Sequence, residues 1–177
     1  STKFTAAGQT PIVNAVCEQR PDVLIISPTD PVGMREPIKR CMDAGIAVVL
    51  VDTTLADTSG VVSAISSDNI AGGKAAADFI GEKLGGKGIV SIQSGQANII
   101  TQATRAKGAA EEFAAKYPDI KLLELVYTQN SEATSETVTR ATLTGTPDVG
   151  AIFNTAANCV GPSNAIERNG GNKPILV

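Results

Sequence analysis

The chain has 177 residues, 15 Lys and Arg against 18 Asp and Glu, and a formal net charge of −3. This mild acidity argues against nucleic acid or an anionic membrane as the main partner, since both call for a basic patch. The chain contains no histidine, which removes Ser-His-Asp and Cys-His catalysis and every common zinc set except the all-cysteine ones. Cys17, Cys41 and Cys159 lack metal-type spacing, so neither a metal nor a cofactor is expected. Two readings of the cysteines stand: buried free thiols, or a Cys17–Cys41 disulfide with Cys159 left over. The length suits one large domain or two small lobes, and no apolar run approaches the ~20 residues that span a bilayer.

In chain order, Lys3 to Ala7 reads as a short strand. Gln9 to Gln19 reads as a helix with Ile12, Val13, Ala15 and Val16 inward and Pro11 in its first turn. Val23 to Ile26 is a strand, and Asp30 before Pro31 is a candidate N-cap for a helix running to Ala44, with Ile38, Cys41 and Met42 inward and Gly45 as the stop. Ile46 to Thr54, IAVVLVDTT, is the most strongly patterned stretch. Its unbroken β-branched run predicts a parallel strand buried on both faces. The run ends in Asp52, and ligand crevices in open α/β sheets lie just outside the carboxyl ends of such strands.

Val61 to Ile65 is the next strand. Ile70 to Leu84 is a helix with Ala75, Phe79 and Ile80 inward, Ile89 to Ile92 a strand, and Thr104 to Lys116 a helix with Ala109, Phe113 and Tyr117 on one face. Then follow a strand over Ile120 to Tyr127, a helix over Glu132 to Leu143 with Ala133, Val138 and Ala141 inward, a strand over Val149 to Phe153, a helix over Val160 to Arg168, and a last strand from Pro174. This alternation specifies an α/β fold, parallel sheets with helices on their faces. Gly72-Gly73 and Gly85-Gly86-Lys87-Gly88 fit neither a Walker A loop nor a strand–G-x-G-x-x-G–helix unit, so they read as helix packing and C-cap turns.

Six segments in order carry a family resemblance: PDVLIISPTDP (21–31), DAGIAVVLVDTT (43–54), VVSAISSDN (61–69), IAGGKAAADFI (70–80), TRAKGAAEEF (104–113) and TPDVGAIFN (146–154). Together they resemble the periplasmic sugar-binding proteins of the ribose-binding type. These have the class I periplasmic binding protein fold, which the effector domains of LacI-type repressors share. The resemblance implies two lobes, each a parallel sheet sandwiched by helices: residues 1–65 as part of the first and 66–177 as part of the second. It leaves the family's first strand and helix and its last quarter unrepresented, so the chain is expected to be incomplete at both ends.

The resemblance places Asp52 on the family's acceptor for sugar hydroxyls. A carboxylate accepts two hydroxyls at once, through charge-assisted bonds. The alternative is a cap on the loop after its strand. Arg105, in R-x-x-G, matches the arginine facing the ligand from the second lobe, and its fixed fork of donors suits vicinal hydroxyls. Its alternative is a surface ion pair with Glu111 or Glu112. Ser27 lies at the same sheet edge as Asp52. Ser67 and Asn69 flank the lobe crossing, Asn69 equally as a helix cap. Thr101, Asn130 and Asn154 fall where second-lobe ligand contacts arise in this family. Departures are Thr53, where an arginine often follows the strand-end aspartate, and Asn130, where an aromatic is common. With aromatics at 3 % and no Trp, a different pentose, a polyol or a modified sugar fits as well as ribose.

The resemblance implies a non-enzymatic, periplasmic, monomeric solute-binding component of an ABC-type importer. It would bind a sugar or polyol in a cleft between lobes by hinge closure, with a membrane permease as its second partner. The competing reading is the effector domain of a LacI-type regulator, which requires a basic helix-turn-helix head upstream.

Overall fold

The computed structural model describes residues 5–156 and 158–177. Strand and helix alternate along the chain, which divides into two compact units. One is formed by the residues up to Ser67 with Asn98–Thr101, the other by Asp68–Ala97 with Gln102–Val177.

In the first unit, β1 (Val23–Ile26), β2 (Ala47–Val51) and β3 (Ser63–Ile65) form a parallel sheet in the order β1-β2-β3. Ile26 pairs with Leu50 and Val51 with Ile65. The strands therefore end together, and Ser27, Asp52 and Ser66 leave one edge of the sheet. Helices α1 (Ala6–Glu18) and α2 (Arg35–Asp43) bury Val13, Ile38 and Cys41 against Leu24, Ile26, Val48 and Leu50. That covers one face only. β2 alternates, with Val48 and Leu50 buried and Ala47, Val49 and Val51 half-buried, and on the far side Ile25 is 66 % and Ile65 60 % exposed. The expectation of burial on both faces thus fails for β2, and β1 is open on the same side. The apolar run reflects a parallel strand, but no described helix covers its second face.

Local chemistry moves several boundaries. Thr5 caps α1 by accepting the Gly8 N–H at 3.1 Å, so Ala6 and Ala7, expected at the end of a strand, form the first helical turn. Lys3 and Phe4 of that expected strand lie outside the described residues. Pro11 falls in the second turn instead of the first, where it removes one helical hydrogen bond. Of the residues expected inward, Val13 is buried and Val16 packs on the core, whereas Ile12 and Ala15 face outward. Asp30 is not the N-cap of α2. Its Oδ1 accepts from the N–H groups of Val32 (2.9 Å) and Gly33 (2.6 Å), closing the turn before the helix. Cys17 and Cys41 form a disulfide between α1 and α2, with Cα atoms 5.4 Å apart, and Cys159 is an exposed free thiol. The free-thiol reading is therefore overturned.

In the second unit, β5 (Asp119–Leu122), β4 (Lys87–Ser94), β7 (Ala151–Asn154) and β8 (Ile175–Leu176) run parallel in the order β5-β4-β7-β8, and β6 (Val126–Tyr127) also pairs with β4. The single strand expected over Ile120 to Tyr127 is split. Lys87 pairs with Asp119 but Gln93 with Val126, so one extra residue is accommodated between β5 and β6. Such an insertion breaks alternation, which is why the pattern there is only partial.

Helices α3 (Asn69–Lys83), α4 (Ile100–Lys116), α5 (Glu132–Gly145) and α6 (Val160–Glu167) pack around this sheet's core of Val90, Ile92, Phe113, Ile152 and Phe153. The inward faces of α3 and α5 are smaller or more polar than expected, although Ile80 is buried as the spacing predicts. α3 buries Gly73, Ala77, Ile80 and Gly81 and leaves Ala75 and Phe79 exposed. α5 buries Ser135, Thr139 and Leu143, with Ala133 and Ala141 exposed and Val138 half-buried. On α4, Ala109 and Phe113 are buried and Tyr117 packs beside them, as the spacing predicts.

Backbone proximity explains the α3 face. A Cβ on Gly73 would overlap the Arg105 carbonyl oxygen and lie 2.9 Å from the Ala109 nitrogen, whereas a Cβ on Gly72 meets nothing within 4 Å. Neighbouring glycines should thus respond with opposite signs. Gly72→Ala is expected to stabilise by up to about 1 kcal/mol through helix propensity. Gly73→Ala is expected to destabilise by about 2 kcal/mol, overpacking outweighing the same gain. Urea unfolding of both variants checks this, and equal midpoints would refute it.

Candidate functional site

At the carboxyl edge of the first unit's sheet, Asp52 takes a left-handed backbone conformation (φ 63°) while its N–H donates to the Ile65 carbonyl at 2.8 Å. Aspartate is among the few non-glycine residues that tolerate this region. The turn swings an exposed carboxylate off the end of β2. Thr53, itself buried, donates to Asp52 Oδ2 at 3.4 Å, a long contact that leaves the carboxylate with most of its acceptor capacity. The carboxylate makes no bond to its own loop's backbone among the described residues, so the capping alternative finds no support.

Beside Asp52, exposed Ser27 begins the loop after β1. Gln9 of α1 fixes this loop: its Nε2 donates to the Ser27 carbonyl at 2.9 Å, and its Oε1 accepts from Thr29 N (2.8 Å) and Thr29 Oγ1 (3.0 Å). Asp30 is spent differently. Its second oxygen accepts from Asn98 Nδ2 at 2.6 Å. The Gly33 N–H is the main cause holding its carboxyl below the ordinary range; burial opposes this, and Val32 and Asn98 reinforce it. A depressed pKa stabilises the fold above the unfolded value and ceases to do so as pH falls through the folded one, so Asp30 supports the loop near neutral pH. Ser67 is exposed just past β3. Asp68, not Asn69, caps α3 by accepting the Ala71 N–H at 2.9 Å, and Asn69 is the buried first residue of that helix.

In the second unit, Arg105 lies half-buried on α4 and its Nη1 donates to the Thr155 carbonyl at 3.3 Å. It makes neither of the alternative ion pairs: Glu111 meets Lys107 at 3.7 Å, and Glu112 pairs with Lys116 and Lys74. The bond ties Arg105 to the loop after β7, at the carboxyl edge of the second sheet. Asn154, the last residue of β7, is buried with both amide ends engaged: Nδ2 donates to the Asn158 carbonyl at 2.7 Å, and Oδ1 accepts from Ala156 N at 3.2 Å. It shapes the loop that receives Arg105. Thr101 is buried in the first turn of α4 and groups with the first unit, not with the second as expected. Asn130, also left-handed (φ 52°), precedes α5; its Oδ1 accepts from Gln102 Nε2 at 2.9 Å.

These features have a matching family. A model of the periplasmic binding protein domain matches residues 1–177. The chain belongs to the periplasmic binding protein family. It is 31 % identical over 173 residues to the ribose import binding protein of Bacillus subtilis, covering 96 % of this chain and 54 % of the relative. It is 28 % identical over 111 residues to a xylitol-binding protein of Mycolicibacterium smegmatis, covering 63 % of this chain and 31 % of that one. Among solved structures, an ABC transporter solute-binding protein from Agrobacterium vitis bound with α-D-tagatopyranose superposes with a TM-score of 0.90 at 28 % identity, covering 98 % of this chain and 62 % of that one. The chain spans about half the length of the curated relatives it matches.

The second unit also holds buried polar contacts that sequence patterning missed. Buried Gln93 on β4 accepts from Thr139 Oγ1 at 2.9 Å, and Thr155 Oγ1 donates to Ser94 Oγ at 3.1 Å. Thr128 Oγ1 donates to the Ser94 carbonyl at 3.1 Å. Single polar residues at strand ends give no periodic signal. The one available clue was the run of Ser and Thr on α5, too polar for an ordinary inward face.

Proposed function

We propose that the full-length protein is the solute-binding component of an ABC-type importer. It takes a sugar or polyol in a cleft between two lobes and closes on it about a hinge. The two units are assigned to those lobes. The observation that carries the reading is Asp52: an exposed carboxylate with spare acceptors, turned off the carboxyl end of a parallel strand by a left-handed residue. Arg105, placed by Thr155, supplies donors from the second unit, so the ligand is recognised as a polyhydroxylated molecule by an acceptor on one lobe and a donor on the other. Differential contact with the closed state is what drives closure. Ser27 and Asn130 complete the polar set, and Ser67, Asn69, Thr101 and Asn154 act at or behind it.

The partners are then the sugar or polyol and a membrane permease. The protein works as a monomer outside the cytoplasm, and it carries out no chemistry on its ligand. The relatives are named for import and binding, which favours transport over the LacI-type regulator reading. Isothermal titration of the full-length protein with D-ribose, D-tagatose and xylitol is expected to give saturable heat with at least one, at a roughly micromolar Kd or tighter. Silence with all three, together with binding to an operator-type DNA, would reverse the choice.

A further inference from the structure

Gln102 and Asn130 form a relay whose polarity is set by the backbone. The Gln96 N–H donates to Gln102 Oε1 at 3.0 Å, and Gln102 Nε2 donates to Asn130 Oδ1 at 2.9 Å. A backbone N–H can only donate, so Gln102 must turn its oxygen toward Gln96 and its NH2 toward Asn130. Asn130 must in turn offer its oxygen to Gln102. This assignment follows from donor and acceptor logic, so it does not depend on telling amide O from N. The end of Asn130 left over is therefore Nδ2, a donor. It is shielded from solvent and has no hydrogen-bond acceptor among the described residues. Stranding a donor in this way is costly, and relaxed native sites avoid it.

The surroundings are built around this pair. Gln102 is only 8 % exposed. Gln129 and Asn130 are both left-handed, and the Gln129 N–H donates to the Gly95 carbonyl at 2.7 Å. A Cβ on Gly95 would collide with Asn130 Oδ1 and Gln102 Oε1, so only glycine leaves room for the relay. Two consecutive strained residues and an obligatory glycine converge on one amide with a spare N–H.

Resting on the solute-binding reading above, we propose that Asn130 is a specificity-determining donor to the ligand and that Gln102 is its positioning residue. The ligand atom that reaches Asn130 Nδ2 is an acceptor, a hydroxyl or ring oxygen of the sugar or polyol, brought in as the ligand displaces what now shields the amide. The site therefore selects for an oxygen at that place and rejects an apolar ring face.

The test uses the full-length protein with D-ribose, D-tagatose and xylitol, then the monodeoxy analogues of whichever binds. Asn130→Asp replaces the donor by an acceptor at constant shape. Gln102→Glu still accepts the Gln96 N–H but now also accepts from Asn130, turning its amide over so that Oδ1 faces the ligand. Both variants are expected to bind at least about 10-fold more weakly than wild type. Wild type should penalise loss of one particular oxygen, a preference both variants lose. Should either variant fail to fold, the side-chain NH2 resonances of Asn130 in the wild-type protein are expected to shift on saturation with sugar. Variants that bind within twofold of wild type and keep its deoxy preferences, or Asn130 resonances that do not move, overturn the proposal while leaving the solute-binding reading intact. Absence of binding by wild type to all three probes removes both.

Discussion

Replacing Asp52 with asparagine is expected to weaken sugar or polyol binding by about 100-fold or more while leaving the fold intact. A hydrogen bond to a charged group contributes about 1.5–3 kcal/mol, and a carboxylate accepting two hydroxyls makes two of them. Asparagine keeps one acceptor, turns the other into a donor and removes the charge. A loss of about 3 kcal/mol follows, and each 1.4 kcal/mol is about tenfold in Kd. The choice of asparagine matters because Asp52 sits at φ 63°. Alanine there adds about 1–2 kcal/mol of backbone strain, which would mix stability into the binding measurement. Asparagine tolerates the same conformation and preserves the Asp52 N–H bond to Ile65. Titration calorimetry on the full-length protein, with a thermal melt beside it, separates the two effects. An unchanged melt with binding within threefold of wild type would remove Asp52 from the site.

The acid at the end of IAVVLVDTT was legible because position alone singled it out: an unbroken β-branched run predicts a parallel strand, and a parallel strand predicts a ligand edge. Its left-handed backbone was not legible, since aspartate gives no local sign of φ. The helices show the complementary failure. Apolar patterning pointed to Ala75, Phe79 and Ile80 as the inward side of α3; only Ile80 is buried, and the helix packs through Gly73, Ala77 and Gly81 beside it because α4 passes at backbone distance. α5 packs through Ser135 and Thr139 because polar Gln93 lies opposite Thr139. Patterning reads hydrophobic burial, and it is blind where a partner's shape or polarity decides the face. The motif singled out Arg105 as a candidate, and in the structure its ion-pair alternatives give way to a carbonyl 50 residues away. Gln9 and Gln102 escaped notice for the same reason: a glutamine in a helix looks like solvent-facing filler until the loop it bonds is in place.

Breaking the Cys17–Cys41 bridge is expected to cost the first unit about 3 kcal/mol. The bridge closes a loop with a sequence separation of 24, holding the end of α1, all of β1 and most of α2 in one ring. Closing a ring of that size removes chain entropy from the unfolded state equivalent to about 3 kcal/mol at 25 °C in the chain-entropy model. Leu24, Ile26 and Ile38, all in the core, lie inside the ring, so the unfolded state is constrained where the core must form. Cys17→Ala is the clean variant: Cys17 is half-buried, whereas Cys41 is fully buried and its remaining thiol still packs as a small apolar group. Cys41→Ala would add a packing loss. The two units need not unfold together, so denaturation should be followed by probes in each. The first unit's midpoint is expected to fall in Cys17→Ala and, to a similar degree, in wild type with reductant, while the second unit's stays put. A first unit indifferent to both treatments would mean that its packing alone holds it. A loss of this size also bears on location. A small sheet covered on one face has little apolar burial to spare, and a disulfide it depends on persists only in an oxidising compartment. The bridge is thus a second, independent argument for the placement outside the cytoplasm proposed above.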